Sequence, residues 1–267
     1  ECQFTQRLKC LSKGRKGRQK ALAIPYAAIY PVLISLMKRA DRYIALSQVV
    51  KDIYVEHGYS TDKIDVIPNF VEEQVVLSAS DKVDRPHTFN IVYVGKLGKV
   101  KGVGILIQAF SKLAKGNPDI QLTIVGEGPE REALKKLASE LQMDKQVFFV
   151  REVPHKNIWQ YYQNADVFVH PAIWAEPFGR IILEAMQFDL PLIVSNAGAP
   201  PEIVGDAGLV FEKGNVDDLA QKLELLYKDE KLRQKLSSNC STVLQNYDRD
   251  KVIVRIEMFY QQFLGGQ

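Results

Sequence analysis

The sequence is poor in the residues that stabilise small secreted proteins, since its 267 residues include only three cysteines, Cys2, Cys10 and Cys240. Three cysteines form no disulfide framework, and Cys2 and Cys10 alone are too little to predict a metal site. The net charge of +3 is also small, which argues against a nucleic-acid partner. The N-terminus has no signal-peptide pattern. We therefore expect a reduced, cytoplasmic compartment.

The sequence also lacks an apolar run long enough to span a membrane. Residues 21–37 form a 17-residue apolar stretch that is interrupted by Pro25 and Pro31, whereas a spanning helix needs about 20 residues. The stretch follows a basic tract, and residues 1–42 carry ten Lys or Arg against two Asp or Glu. A basic flank beside apolar surface suits peripheral contact with an anionic membrane at its inner surface. The alternative is a basic loop followed by a core helix.

What the sequence does contain is a regular alternation of strand and helix patterns from residue 90 onward. Hydrophobic and charged residues make up 46% and 25% of the chain, as in an ordinary globular protein. Short apolar runs predict strands near residues 90–95, 120–125, 147–150, 166–170, 191–195 and 208–211. Helical patterns lie between them and continue at residues 216–228, 230–245 and 249–264. This alternation predicts an α/β protein with a doubly wound, Rossmann-like parallel sheet.

Two glutamates eight positions apart, Glu176 and Glu184, lie in the run H-P-A-I-W-A-E-P-F-G-R-I-I-L-E-A-M over residues 170–186. Pro177 and Gly179 precede an apolar helix, whose free N–H groups and positive dipole end suit a diphosphate. Glu176 precedes the helix and Glu184 lies inside it, so the two would bracket a ligand docked there. The alternative is an exposed loop glutamate and a solvated helix glutamate.

Three further motifs accompany this run. Residues 90–102, N-I-V-Y-V-G-K-L-G-K-V-K-G, indicate a strand and a loop with two lysines before a helix. The loop lacks the full G-x-G-x-x-G pattern of a dinucleotide site. Residues 120–129 end in G-E-G-P, and residues 190–204 combine a strand with N-A-G-A-P-P-E. The alternatives are a solvated basic loop for the lysines and a tight βα turn for the glycines.

Taken in order over residues 90–211, the four motifs resemble those of the retaining nucleotide-sugar glycosyltransferases of family 4, which have the GT-B fold. The family patterns are G-[R/K]-L…K-G, V-G-x-G-P, E-x7-E and P-V-[IV]-x-[ST]-x-x-G-G-x-x-E. The sequence departs from them at three positions. Arg151 and Asp189 stand where glycine is usual, and Ala199 replaces a second glycine. Aspartate tolerates a left-handed backbone, while Arg151 either alters base stacking or faces solvent.

The resemblance also predicts a domain organisation. Residues 39–47 and 58–71 resemble the end of the family's acceptor-binding domain, with Phe70 in place of a glycine. We therefore expect an acceptor-domain remnant at residues 1–70, a linker at 71–88, a nucleotide-sugar-binding domain at 89–246 and a helix at 247–267 that crosses back to the N-terminal domain. Packing of that helix on its own domain is the simpler alternative. The rest of the acceptor domain has no counterpart, so we expect a fragment or a processed or split protein.

The resemblance implies transfer of a sugar from a UDP-, GDP- or ADP-sugar to a glycan, lipid or small-molecule acceptor, with retention of configuration. Lys96 and Lys101 would neutralise the leaving diphosphate, so that no metal cofactor is expected. Glu176 would hold sugar hydroxyls and stabilise an oxocarbenium-like centre, while Glu184 would bind the ribose. The other implied donor contacts are Gly95, Gly126, Glu127, Val153, Phe178, Gly179, Arg180 and Ile181.

Two other hypotheses remain from the sequence. The first is a donor-binding module that is inactive without a missing acceptor domain or a partner chain. The second is a different enzyme of the GT-B fold, either a sugar-phosphate-linked enzyme of another group or a nucleotide-sugar epimerase. A nucleotide-sugar epimerase of the same fold would need a set of acid–base residues, and no such set is found. His170, at the end of a predicted strand, is expected to be structural.

Overall fold

The computed structural model describes residues 32–71 and 88–264, which fall into two units. Among the described residues, the first unit comprises 32–45 and 51–66, and the second comprises 46–50, 67–71 and 88–264. Within the first unit, β1 (Tyr43–Ala45) pairs in parallel with β2 (Ile64–Val66). Helix α1 occupies Gln48–Glu56.

Residues 32–37 of the first unit are helical. Their apolar side chains Val32, Leu33, Leu36 and Met37 are all exposed. These four side chains are therefore not part of a core among the described residues. The basic tract and residues 21–31 lie outside the described residues. In the described part of the chain, no helix combines the length and hydrophobicity needed to cross a bilayer.

The second unit is built on a six-stranded parallel sheet in the order β5-β4-β3-β6-β7-β8. Its strands are β3 (Phe89–Val94), β4 (Ile120–Val125), β5 (Val147–Val150), β6 (Val167–His170), β7 (Leu192–Ser195) and β8 (Gly208–Phe211). Every strand predicted from the sequence is present, with its ends displaced by at most one residue. The doubly wound α/β prediction is confirmed.

Eight helices follow α1 in the described chain. They are α2 (Val103–Ala114), α3 (Arg131–Glu140), α4 (Trp159–Gln163), α5 (Arg180–Met186), α6 (Pro200–Val204), α7 (Val216–Lys228), α8 (Glu230–Leu244) and α9 (Arg249–Leu264). Alternate side chains of a strand face opposite sides of a sheet. Ile91 and Tyr93 accordingly pack with α2 on one face, and Val92 and Val94 pack with α5 on the other. The sheet is covered on both faces, as parallel sheets require.

The strand order reverses between β3 and β6, the two central strands. In open α/β sheets, ligands bind outside the carboxyl ends of the strands at such a switch point. The loops that follow these two strands span residues 95–102 and 171–179, and they carry the lysines and the first glutamate of the motifs. The fold thus brings two separate sequence motifs to one edge of the sheet.

Helix α9 packs through Val252 and Phe259 against Ile67 within the second unit. The domain boundaries drawn from the sequence, including the return of this helix to an N-terminal domain, stay predictions. Two departures from the family pattern have a local explanation. Asp189 has a φ of 53°, the left-handed conformation expected for it. Ala199 has a φ of −77°, which any residue adopts, so glycine is not needed there.

Candidate functional site

The two loops at the switch point are joined by backbone contacts. The Ile173 N–H donates to the Val100 carbonyl at 2.9 Å. Gly102 has a φ of +69°, and a Cβ at this position would lie 1.9 Å from the Pro171 carbonyl oxygen. Only glycine allows this approach. The loop after β3 is therefore held tightly against the loop after β6.

The main chain of Glu176 is fixed by the fourth motif. Its N–H donates to the Ala197 carbonyl at 3.1 Å, and its carbonyl accepts from the Ala199 N–H at 2.9 Å. Between them lies Gly198, with a φ of +87°, where a Cβ would come within 2.4 Å of the Glu176 carbonyl oxygen. The glycine in the motif is therefore a positioning element for Glu176. Sequence analysis recognised Gly198 but not this contact.

Three side chains meet beside Glu176, and together with it they form what we call the Glu176 cluster: Lys101, His170, Trp174 and Glu176. The Lys101 ammonium lies 2.6 Å from Glu176 Oε2. The Trp174 indole Nε1–H donates to the same oxygen at 2.9 Å, and Lys101 Nζ also lies 5.3 Å from the Trp174 ring centroid. The Glu176 side chain is only 13% exposed. Two residues predicted from distant motifs thus form an ion pair shielded from much of the solvent.

His170 is buried at the end of β6, and its Nε2 lies 3.9 Å from Glu176 Oε2. Its Nδ1 has no hydrogen-bond partner among the described residues. Burial lowers the pKa of His170 to about 4, while the nearby Glu176 carboxylate acts in the opposite direction. The imidazole is therefore neutral at pH 7. The structural interpretation of His170 suits its burial, but its contact with the Glu176 cluster was not foreseen.

Lys96 differs from Lys101 in its surroundings. It is exposed, and it forms no ion pair with any residue of 32–71 or 88–264. Its carbonyl accepts from the Tyr93 hydroxyl at 3.0 Å, and burial raises the pKa of Tyr93, with Glu176 adding to the shift. A Cβ on the adjacent Gly95 would lie 3.9 Å from Ile181 Cδ1. The Lys96 loop is thus anchored beside the first turn of α5 with its ammonium in solvent.

A second group of side chains, which we call the Glu184 cluster, comprises His155, Tyr162 and Glu184. The Tyr162 hydroxyl donates to Glu184 Oε2 at 3.3 Å, and His155 Nε2 lies 3.5 Å from Oε1. The His155 side chain is 57% exposed. Burial raises the pKa of Tyr162, and Glu184 contributes to the shift. Tyr162 therefore stays protonated and serves as a donor to the carboxylate.

The turn after β4 places Glu127 between two arginines, at 3.6 Å from Arg131 and 3.8 Å from Arg151. Arg131 donates to the carbonyls of Gly126 and Val150 at 2.9 and 3.2 Å, so it joins the ends of β4 and β5. The Arg151 side chain is 87% exposed. Its effect on base stacking stays a prediction.

Four of the remaining predicted donor residues lie at the start of α5, and the fifth, Val153, follows β5. The Phe178 ring is buried and meets Tyr247 edge-on at 5.7 Å. That ring belongs to the core, which leaves only the main chain of Phe178 for the contact predicted there. Gly179 caps the helix with a φ of 99°, followed by the exposed Arg180 and the half-buried Ile181. Val153 is half-buried and packs against the same core cluster.

The family profile described as "Glycosyl transferases group 1" matches residues 80–242, and that described as "Glycosyltransferase Family 4" matches residues 12–75. An uncharacterized glycosyltransferase of Haemophilus influenzae is 28% identical over 217 residues, which are 80% of this chain and 59% of that protein. A D-inositol 3-phosphate glycosyltransferase of Pseudarthrobacter chlorophenolicus is 29% identical over 220 residues, 78% of this chain and 52% of that protein.

Among solved structures, HepE from Anabaena in complex with UDP and glucose superposes with a TM-score of 0.78 at 24% identity. The match covers 86% of this chain and 66% of HepE. The likeness shows that the two proteins share a fold. The chain spans little more than half the length of the two curated relatives named above.

Proposed function

Because this chain belongs to the glycosyl transferases group 1 family, we propose that its switch-point site binds a nucleotide-diphosphate sugar and that the complete protein transfers the sugar to an acceptor. The observation that carries the proposal is the 2.6 Å pair of Lys101 and Glu176 at the carboxyl ends of β3 and β6. It places a cation suited to a diphosphate beside a carboxylate suited to sugar hydroxyls. HepE, which shares the fold, was solved with UDP and glucose.

The diphosphate lies between Lys101, Lys96 and the start of α5. Both ammonium groups act as point charges that neutralise the diphosphate as it leaves, in place of a metal cofactor. The main-chain N–H groups of Gly179, Arg180 and Ile181 add donors where negative charge develops. Lys101 leaves Glu176 for the phosphate oxygens, or is shared between them, when the donor binds.

The two motif glutamates bind the two ends of the donor. Glu176 accepts hydrogen bonds from sugar hydroxyls and stabilises the positive charge of the oxocarbenium-like centre. Glu184 accepts hydrogen bonds from the ribose, and the half-buried Val153 lies near the base. Gly95, Gly126 and Glu127 border the donor through the turns after β3 and β4.

The reaction retains the configuration at the anomeric carbon. The bond from that carbon to the diphosphate breaks, and the acceptor oxygen bonds to the same face of the carbon. The acceptor proton passes to the leaving diphosphate, which supplies the base. The acceptor is a glycan, a lipid or a small molecule.

A second candidate function is a donor-binding module that needs an acceptor domain or a partner chain for turnover. This candidate uses the same donor site and predicts binding without transfer. Peripheral contact with an anionic membrane is a further expectation from the basic N-terminal tract.

Calorimetric titration of the chain with UDP, GDP, ADP and their sugar esters tests the proposal. We expect a dissociation constant of about 1–100 μM for one nucleotide, weakened by roughly tenfold or more in Lys101→Ala and Glu184→Ala. Lys135→Ala, which removes an exposed lysine of α3, is the matched control and binds like the wild type. A folded chain that binds none of these compounds would overturn the donor site.

A further inference from the structure

Trp174 lies two positions before Glu176. It is not among the site residues predicted from the sequence motifs. The residue is 41% exposed, although its indole N–H donates to Glu176 Oε2 at 2.9 Å. The face of the same ring lies under Lys101, whose Nζ is 5.3 Å from the ring centroid. Trp174 therefore contacts both members of the central ion pair, through two different parts of its ring.

The two oxygens of the Glu176 carboxylate differ in their partners. Oε2 accepts from both Lys101 and Trp174. In the part of the chain that the structure describes, no hydrogen bond reaches Oε1. The carboxylate thus has one anchored oxygen and one open oxygen, so its orientation is set by whatever holds Oε2.

Donor binding changes which group holds Oε2. The Lys101 ammonium is attracted to the diphosphate, which carries more negative charge than one carboxylate. His170 Nε2, at 3.9 Å, is too distant from Oε2 for a hydrogen bond, and the Tyr93 hydroxyl is already bonded to the Lys96 carbonyl. The indole N–H is neutral, so a diphosphate has little pull on it and it remains on Oε2.

We propose that Trp174 is a positioning residue whose indole N–H holds Oε2 of Glu176, so that Oε1 faces the hydroxyls of the donor sugar. This inference rests on the proposed function and adds the residue that orients the sugar-binding carboxylate. The inference predicts different effects on two affinities. Loss of the Trp174 N–H lowers the affinity for the sugar ester and has little effect on the affinity for the nucleoside diphosphate.

Trp174→Phe is the decisive variant, since phenylalanine keeps a ring face for Lys101 but has no N–H. The probes are the nucleotide that the chain binds and its hexose ester, namely UDP with UDP-glucose, GDP with GDP-mannose or ADP with ADP-glucose. We expect nucleotide affinity within about twofold of the wild type and sugar-ester affinity about tenfold weaker. Ile173→Ala removes the neighbouring exposed apolar side chain, and this control keeps the wild-type ratio.

Equal changes for the nucleotide and its ester in Trp174→Phe would overturn the inference and leave the donor site standing. A folded wild type that binds neither probe would overturn the proposed function and the inference with it. The two failures are therefore distinguishable.

The hydrogen bond itself is tested without any donor. The chain has two tryptophans, so a ¹⁵N spectrum of the indole region contains two signals, and Trp174→Phe identifies one of them. We expect Glu176→Gln to shift the Trp174 signal and to leave that of Trp159 in place. An unchanged chemical shift of the Trp174 signal in Glu176→Gln would overturn the inference.

Discussion

The two motif glutamates, Glu176 and Glu184, differ in their surroundings. In the Glu176 cluster, two donors hold one carboxylate oxygen at 2.6 and 2.9 Å, and the main chain of Glu176 is bonded on both sides. In the Glu184 cluster, the contacts are 3.3 and 3.5 Å, and one partner is a largely exposed histidine. Glu176 is therefore held more firmly than Glu184.

The difference follows from the segments of the chain that surround each glutamate. Glu176 lies where the loops after β3, β6 and β7 meet, so three connections fix it. Glu184 lies in the seven-residue helix α5, and its partners come from the single segment between β5 and β6. Fixed donors favour the end where charge changes during transfer. A looser end suits recognition of a nucleoside, where small adjustments cost little free energy.

The largest expected effect comes from separating the two switch-point loops. Gly102→Ala places a Cβ against the Pro171 carbonyl oxygen, in a left-handed backbone conformation. We expect it to lower the free energy of unfolding by about 3 kcal/mol or more and to abolish nucleotide binding. Denaturant unfolding measures this change.

Gly98→Ala is the matched control, because a Cβ there meets nothing within 4 Å and the φ is −118°. Equal stability of the two variants would show that the tight approach of the loops is not needed.

A smaller effect concerns the pH dependence of the Glu176 cluster. His170 has a folded pKa of about 4 against an ordinary 6.5, so between these values the unfolded chain binds the proton and the folded chain does not. The free energy of unfolding therefore falls as the pH drops from 6.5 to 4, and His170 accounts for up to about 3 kcal/mol of this loss. His170→Asn removes that contribution, so the free energy of unfolding depends less on pH in this range. Unfolding curves measured between pH 4 and 6.5 detect the difference.

His57→Asn, at an exposed histidine, serves as the control and keeps the wild-type slope. A His170→Asn variant with the wild-type slope would contradict the buried, neutral state of His170.

The two glutamates themselves provide the sharpest contrast in ligand binding. Glu184→Gln is expected to weaken the nucleoside diphosphate and its sugar ester by the same factor of about ten, because the ribose is common to both. Glu176→Gln is expected to weaken only the sugar ester. Titration of both variants with both ligands measures the difference, and the reverse pattern would exchange the two proposed roles.

The smallest effect is expected for Lys96. Because its ammonium is exposed and unpaired among the described residues, Lys96→Ala should weaken nucleotide binding by only about threefold at low salt. The effect should shrink at high salt, since ions screen exposed charges. A loss as large as that of Lys101→Ala would show that the two lysines are equivalent in the site.

The fold was predictable because the strands of a doubly wound sheet are nearly continuous apolar runs, and glycine or proline marks many of their ends. All six residues of β3 are buried, for example, and Gly95 follows at once. The order of four weak motifs also predicted the family, which the two profiles confirmed. Here local pattern and global fold agree.

The contacts inside the site were less accessible to sequence analysis. Gly198 reaches Glu176 because the loop after β7 meets the loop after β6, and no sequence spacing encodes that meeting. The Trp174 indole and the His170 ring reach Glu176 through the folded shape of its own loop and the strand before it. Phe178 illustrates a different limit of the sequence. An aromatic residue beside a binding motif has the same sequence pattern whether its ring faces a ligand or the core. The structure decides between the two, because the Phe178 ring is buried and packs against Tyr247.

The most direct test of the account is a crystal structure of this chain with the nucleotide sugar that titration identifies. We expect the diphosphate against Lys101 and the start of α5, the ribose at Glu184, and the sugar hydroxyls at Oε1 of Glu176. A donor bound away from the switch point, or one with its ribose at Glu176 and its sugar at Glu184, would contradict the account.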